Sequence, residues 1–442
     1  MSSFPAQLRA AHTERLLRVA TCVAASGHCG DLAPLLATAR ALYADTQLWT
    51  ALARHRGPRG RTRLMHAALK DNVARARFLL ERGAGASDAD SAGTTALMLC
   101  ASGSLPLARL LVEQGGADVN AANKDGATAL LWARRMEVVQ YLAERGASVN
   151  AVGRGGTTAL MRASERGDLD TVRFLVEHGA EVNATDYIRK SALMLACESG
   201  HLDVVRYLVE GVANVNAESR VFYTPLIYAC FSGHLDVVRF LVAEGGAAVN
   251  TACSDDGHTA LTIAAGFEPE IAQFLVEAGG ANVNAELTLC RSTALMLASE
   301  QGALELVKCL VEKGAKIDAT DVRRDTALIL ACRRGHLKVA AHLVDEDANV
   351  CTANAKGETA LYCACSEGHA EIVRLLLGRT FDCVDAAALS GTTPLMAASA
   401  IGRLDICALL TQSGADRALK NARGKTAYAL AVEACSRELK PK

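Results

Sequence analysis

The sequence predicts an all-α solenoid, a stack of about twelve units, each built from paired helices and a projecting hairpin loop. Three observations carry that expectation. A motif of the form Thr-Ala-Leu-Met recurs, its leading hydroxyl residue standing at Thr62, Thr95, Thr128, Thr158, Ser191, Thr224, Thr259, Thr293, Thr326, Thr359, Thr393 and Thr426. The successive spacings are 33, 33, 30, 33, 33, 35, 34, 33, 33, 34 and 33 residues, and self-similarity at such a period marks a repeat architecture. Apolar residues make up 50% of the chain but aromatics only 4%, so Ala, Leu and Val must fill thin layers between helices instead of one thick core.

The unit is clearest from Ser191 to Glu210. The Ser or Thr hydroxyl can cap a first helix by accepting from its unsatisfied N–H groups. Leu193, Ala196 and Cys197 then recur at helical spacing, giving that inner helix a small apolar face. Gly200 and His201 mark the turn into a second helix, where Val204, Val205 and Leu208 supply a thicker stripe. Gly83, Gly146, Gly179, Gly314 and Gly414 stand where a left-handed residue would stop the second helix. Val-Asn pairs follow (Val149-Asn150, Val182-Asn183, Val215-Asn216, Val249-Asn250, Val283-Asn284) and lead into the hairpin. One unit cannot bury both of its helices, so each depends on its neighbours.

These residues resemble the ankyrin repeat over about 60–435: Thr-Pro-Leu-His, Gly-His-Leu, Val-Val and Gly-Ala-x-Val-Asn are met in most units. The departures are informative. Ala replaces the motif Pro in most units, Pro standing at Pro225 and Pro394, and Met replaces the motif His at Met98, Met161, Met194, Met296 and Met396. That row of Met reads as core filling, with a binding strip as the alternative. The third unit is three residues short, Trp132 to Glu137 standing in place of its Gly-His-Leu turn. The last unit, from Thr426, ends before a second helix and reads as a C-terminal cap.

The resemblance implies a non-enzymatic protein–protein interaction module or scaffold that holds a protein partner on a concave face of hairpin tips and inner helices. Most tips carry Gly two places before the motif Thr; four units carry Arg189, Phe222, Arg291 and Arg324 there instead. Losing a tight-loop Gly is expected to change the loop and to add a side chain at its tip. Three of these tips also hold large side chains: Tyr187 and Ile188, Val221 and Tyr223, and Leu287 and Leu289. Tyr187, Ile188, Arg189, Phe222, Tyr223, Leu289, Arg291 and Arg324, joined by Glu198, Phe231 and Phe267 on inner helices, form the candidate partner surface. Tyr, Phe and Arg are the side chains that dominate interfaces; the alternative is that they fold back onto neighbouring hairpins.

No other chemistry stands out. No phosphate loop, nucleophile elbow or His-Glu-x-x-His segment occurs, so no enzyme, cofactor or metal is expected. Cys363 and Cys365 are too close for a zinc pair, and His201, His234, His336 and His369 hold the turn position of the repeat. Fifteen scattered cysteines read as reduced thiols of a cytoplasmic or nuclear protein. With a net charge of −1 and no stretch long and apolar enough to span a bilayer, neither nucleic acid nor membrane is an expected partner.

The N-terminal part is separate. Residues 54–61 form a basic run, read as a solvated linker, with a nuclear address or polyanion patch as the alternative. Residues 1–53 lack the period and show helical patterning. Their end, Asp31-Leu32 through Asp45-x-x-Leu48-Trp49, resembles the second half of an F-box, although the usual Leu-Pro-x-Glu opening is missing. The segment therefore reads either as a helical cap on the stack or as an adaptor-docking element using Leu16, Leu35, Leu48 and Trp49. In the second case the chain would be a substrate receptor of a cullin-type ubiquitin ligase, the repeats selecting the substrate.

Overall fold

The computed structural model describes Ala53 and residues 55–253, 256–379 and 382–438. Two units are distinguished, residues 1–192 and 193–442, and each is taken by itself. Leu16, Leu35, Leu48 and Trp49 lie outside the described residues.

In the first unit the inner helices are Arg63–Leu69, Ala96–Ala101, Ala129–Trp132 and Ala159–Arg166, each packed on the next. The outer helices Val73–Glu81, Leu105–Arg109, Met136–Glu144 and Leu169–Glu177 stack beside them. The second unit opens with Ala192–Glu198 and repeats the pattern through Pro225–Phe231, Ala260–Phe267, Ala294–Gln301, Ala327–Arg334, Ala360–Glu367 and Pro394–Ala400. Its outer helices run from Leu202–Glu210 to Leu404–Gln412, and a single helix, Ala427–Glu438, closes the series. The described residues form helices and isolated bridges, with no named strand. None of their helices is long and apolar enough to cross a membrane.

Local chemistry explains the regularity. In nearly every unit the motif Thr accepts from the backbone N–H three residues on, as Thr293 Oγ1 does from Met296 (3.4 Å) and Thr359 Oγ1 from Tyr362 (3.2 Å). Each such cap contributes about 1 kcal/mol. Outer helices stop on Gly83, Gly146, Gly179, Gly314 and Gly414, all at φ between 80° and 91°. Around Gly83, Ala84 N–H reaches Leu79 O (3.0 Å) while Gly83 N–H reaches Leu80 O (2.9 Å), which satisfies two orphan carbonyls.

The layers between helices are filled by Leu64, Leu97, Leu160, Leu193, Leu295 and their equivalents, all fully buried. Met98, Met161, Met194, Met296 and Met396 are buried with them, so the Met row is core. The turn histidines join successive repeats. The Nε2–H of His336 donates to Glu300 O (2.9 Å) and that of His234 to Glu198 O (3.1 Å), each ring resting on the left-handed glycine of the preceding repeat. Cys100, Cys197, Cys230, Cys332 and Cys365 are buried as thiols, not disulfides, and burial pushes the Cys100 thiol up to about 12.

Two differences from expectation stand out. The basic run forms the hairpin of the first repeat, not a linker. Arg56 bridges Thr62, Gly60 takes φ 72°, and Arg59 O accepts from Ser91 of the next hairpin (2.8 Å). Its charges are in use as well: Arg56 pairs with Asp88 (3.2 Å) and Arg61 with Asp90 (3.6 Å). The short third repeat has shed the last turn of its inner helix, which runs only over Ala129–Trp132 before Ala133 turns extended (ψ 131°). In the same repeat Thr128 Oγ1 is buried without a hydrogen-bond partner.

Candidate functional site

In many repeats, as at Asp90, Asn123, Asp186, Asp321 and Asn354, the hairpin tip is a turn whose first residue carries an oxygen-bearing side chain that accepts from the turn's N–H groups. Asp186 Oδ1 accepts from Ile188 (3.0 Å) and Lys190 (2.8 Å), and Asp321 Oδ1 accepts from Arg323 (2.8 Å) and Asp325 (2.7 Å). This arrangement requires a left-handed residue at the fourth position, which Gly supplies without cost. At Gly257 even space is lacking, since a Cβ would stand 2.3 Å from the Thr288 hydroxyl.

Where Gly is absent, the backbone does not change to suit. Arg189, Phe222, Arg291 and Arg324 keep φ at 60°, 60°, 55° and 59°. The expected change of loop shape is therefore corrected. Backbone bonds such as Arg189 N–H to Asp186 O (2.9 Å) and Arg324 N–H to Asp321 O (2.9 Å) hold the same turn as Gly93 N–H to Asp90 O. A non-Gly residue held there costs about 1 kcal/mol or more. Only the hairpin at Arg291 is enlarged: Arg291 N–H reaches back four residues to Leu287 O (2.7 Å), which accommodates the extra residue in that spacing.

In the first unit Tyr187 is 73% exposed, with its ring beside Gly156, and Ile188 and Arg189 are exposed too. In the second unit Phe222, Leu289 and Arg324 are exposed at their tips. Phe231 and Phe267 are 56% and 70% exposed at the ends of successive inner helices, their rings edge to face at 6.1 Å. Three residues differ from a fully displayed surface. Tyr223 is half-buried with its ring edge against Tyr228 (5.6 Å), Arg291 is paired within its own hairpin to Glu286 (3.2 Å), and Leu287 is buried. Glu198 is half-buried, and its main-chain oxygen receives the His234 ring.

Two sets of residues escaped the sequence reading. The Asn of several Val-Asn pairs bridges to the next repeat: Asn284 Nδ2 donates to Gly314 O (3.0 Å) while its Oδ1 accepts from Lys316 N–H (2.8 Å). Asn150, Asn216 and Asn250 do likewise, and their 33-residue recurrence was the available signal. The other set is a buried ion network behind the Arg324 tip. Arg333 donates to both Asp325 oxygens (2.9 and 2.8 Å), and Asn354 Nδ2 joins Asp325 Oδ1 (2.8 Å) to Glu358 (2.9 Å). Burial alone would raise the Asp325 carboxyl; hydrogen bonds from Arg333 and Asn354 hold it below its ordinary value. Nothing in the linear spacing connects these residues.

Among the described residues no group of three or more His, Cys, Asp or Glu is placed to hold a metal ion. The family model for ankyrin repeats in three copies matches residues 22–123, 115–186, 187–253, 246–321 and 295–387, and the single-repeat model matches 390–422. The first match thus begins inside the N-terminal segment that shows no motif Thr. No curated protein matches the chain. Ankyrin repeats are protein–protein interaction modules, and family matches spanning most of the chain, together with the paired helices, capping threonines and projecting hairpins, establish that this chain belongs to the ankyrin repeat family.

Proposed function

We propose that this chain is a non-catalytic scaffold that captures a protein partner through its substituted hairpin tips and exposed inner-helix aromatics. The observation that carries the reading is the retained strain at the four tips. Arg189, Phe222, Arg291 and Arg324 occupy a backbone region made for Gly, and three of the four project into solvent without a partner that would repay the cost. Selection for stability alone would place Gly there, as it does at Gly93, Gly126, Gly357 and Gly391. Tyr187 and Ile188 in the first unit, and Phe231, Phe267 and Leu289 in the second, supply the apolar contact area that an interface core needs.

The test replaces all four tip residues with Gly. Each replacement relaxes the backbone by about 1 kcal/mol, so the variant folds at least as well as the parent. The proposal expects proteins enriched by the parent in an affinity purification to be lost by the variant, with the purified partner binding only the parent. Undiminished binding by the more stable variant refutes the proposal.

A further inference from the structure

The three residues missing from the third repeat leave a cavity of about 490 Å³ in the first unit, on the side of the hairpins and inner helices. Its walls include Leu131 and Trp132, which end the shortened helix, and four arginines drawn from two repeats: Arg134, Arg154, Arg162 and Arg166. Several other arginines pair off, as Arg145 does with Glu113 (2.8 Å) and Arg334 with Glu300 (2.6 Å). Among the described residues these four form no such ion pair, and they face a cavity shared with only two carboxylates, Asp125 and Glu165. Desolvation, and to a lesser degree the nearby charges of Arg134 and Arg162, lowers the pKa of Arg166 against the pull of Asp168 and Glu165.

We propose that this cavity is a second binding site, one that takes an acidic peptide segment, its carboxylate or phosphate groups gripped by Arg134, Arg154, Arg162 and Arg166 and its flank laid against Trp132. Guanidinium forks suit both oxyanions because each can accept two parallel N–H bonds. The volume falls within the range of about 300–1,000 Å³ typical of ligand sites and exceeds what a lone inorganic anion fills. The two wall carboxylates disfavour a compact polyanion, whose whole charge would meet them at close quarters. An extended peptide separates its charges, setting acidic side chains beside the arginines and amide N–H groups beside Asp125 and Glu165. The peptide character of the ligand rests on the protein-binding reading above; the tips of that reading are not used here.

The full chain is titrated calorimetrically with a short peptide in which glutamates alternate with serine and alanine. Parallel arms use the same peptide with glutamine for glutamate, a version with phosphoserine for serine, and inorganic tripolyphosphate. Saturable, salt-weakened binding of the glutamate or phosphoserine peptide is expected, with the stronger of the two identifying the oxyanion. Arg134→Gln with Arg162→Gln should weaken it by about a hundredfold, about tenfold per charge-assisted contact. Lys70→Gln with Arg75→Gln, in the first repeat, should leave it unchanged. Circular dichroism checks that both variants fold; should the first fail to, Arg154→Gln, at a hairpin tip, replaces it. Equal binding of the glutamine peptide, tripolyphosphate binding in preference to both peptides, or indifference to the arginine variants overturns the proposal. The four-glycine tip variant should still bind the acidic peptide, so failure here and failure of the tip reading are told apart.

Discussion

Removing Arg333 should damage the structure more than removing the carboxylate it serves. The Asp325 side chain is only 3% exposed and accepts two bonds from Arg333, whose own side chain is 28% exposed. Arg333→Ala strands a buried carboxylate with one remaining side-chain donor, Asn354. Breaking a buried pair in this way costs about 3–5 kcal/mol, and the residual donor and partial exposure place this case near 3 kcal/mol. Asp325→Ala instead leaves a guanidinium that can turn toward solvent and Glu358, already within 3.8 Å; its loss should be about 1–2 kcal/mol. Repeat proteins open locally, so the fitting assay is native-state hydrogen exchange in helices Ala327–Arg334 and Ala360–Glu367, not a global melting point.

The pH dependence gives the same reasoning a second check. With its native pKa lowered, Asp325 contributes stability that is present above its unfolded value of about 4 and lost as pH falls through the native value. In Arg333→Ala the strongest lowering partner is gone, leaving Asn354 against the larger effect of burial, so that carboxyl should titrate above its unfolded value and the variant should recover stability on acidification. The gap between parent and variant should therefore narrow as pH falls from 7 toward 4. Equal losses for the two single variants, or a gap that widens in acid, would refute the assignment of the cost to a stranded carboxylate.

Other outcomes follow from the same structure. Val212 is a β-branched residue held at φ 68° and 80% exposed just after the helix Leu202–Glu210, so Val212→Gly should stabilise that repeat by about 1–2 kcal/mol, read as slower local exchange; no gain would mean the strain is relieved elsewhere. Leu193→Ala, at a fully buried site, should cost about 2–5 kcal/mol through the cavity it leaves, with exchange rising near residue 193 before the ends of the chain. Asn284→Asp keeps the bond accepted from Lys316 N–H but loses the donation to Gly314 O, and should cost about 1 kcal/mol in urea titration or local exchange. Asp318 already works in that reduced form, its Oδ1 accepting from Asn349 N–H (3.0 Å).

The sequence by itself determined the repeat, its register and its packing class. A motif recurring at 33 residues can be read because each repeat answers only to its neighbours: Thr caps, Leu layers and helix-ending glycines are local signals, each meaning the same thing every time it returns. Exposure of Phe231, Phe267 and Tyr187 could be argued on the same ground, since their positions in the unit face away from the layers. Only the tertiary structure decided what the irregular positions do. It kept the hairpin shape at Arg189 and Phe222 against residue preference, because the two Asp186 bonds, the Tyr223 bond to Ser219 and the backbone bonds across each turn outweigh one strained φ. It half-buried Tyr223, paired Arg291 with Glu286 within its own hairpin, joined Asp325 to Arg333 and Asn354, and converted a three-residue deletion into an arginine-lined cavity. Those outcomes depend on side chains brought together across repeats, where direction and distance, not spacing along the chain, set the energy.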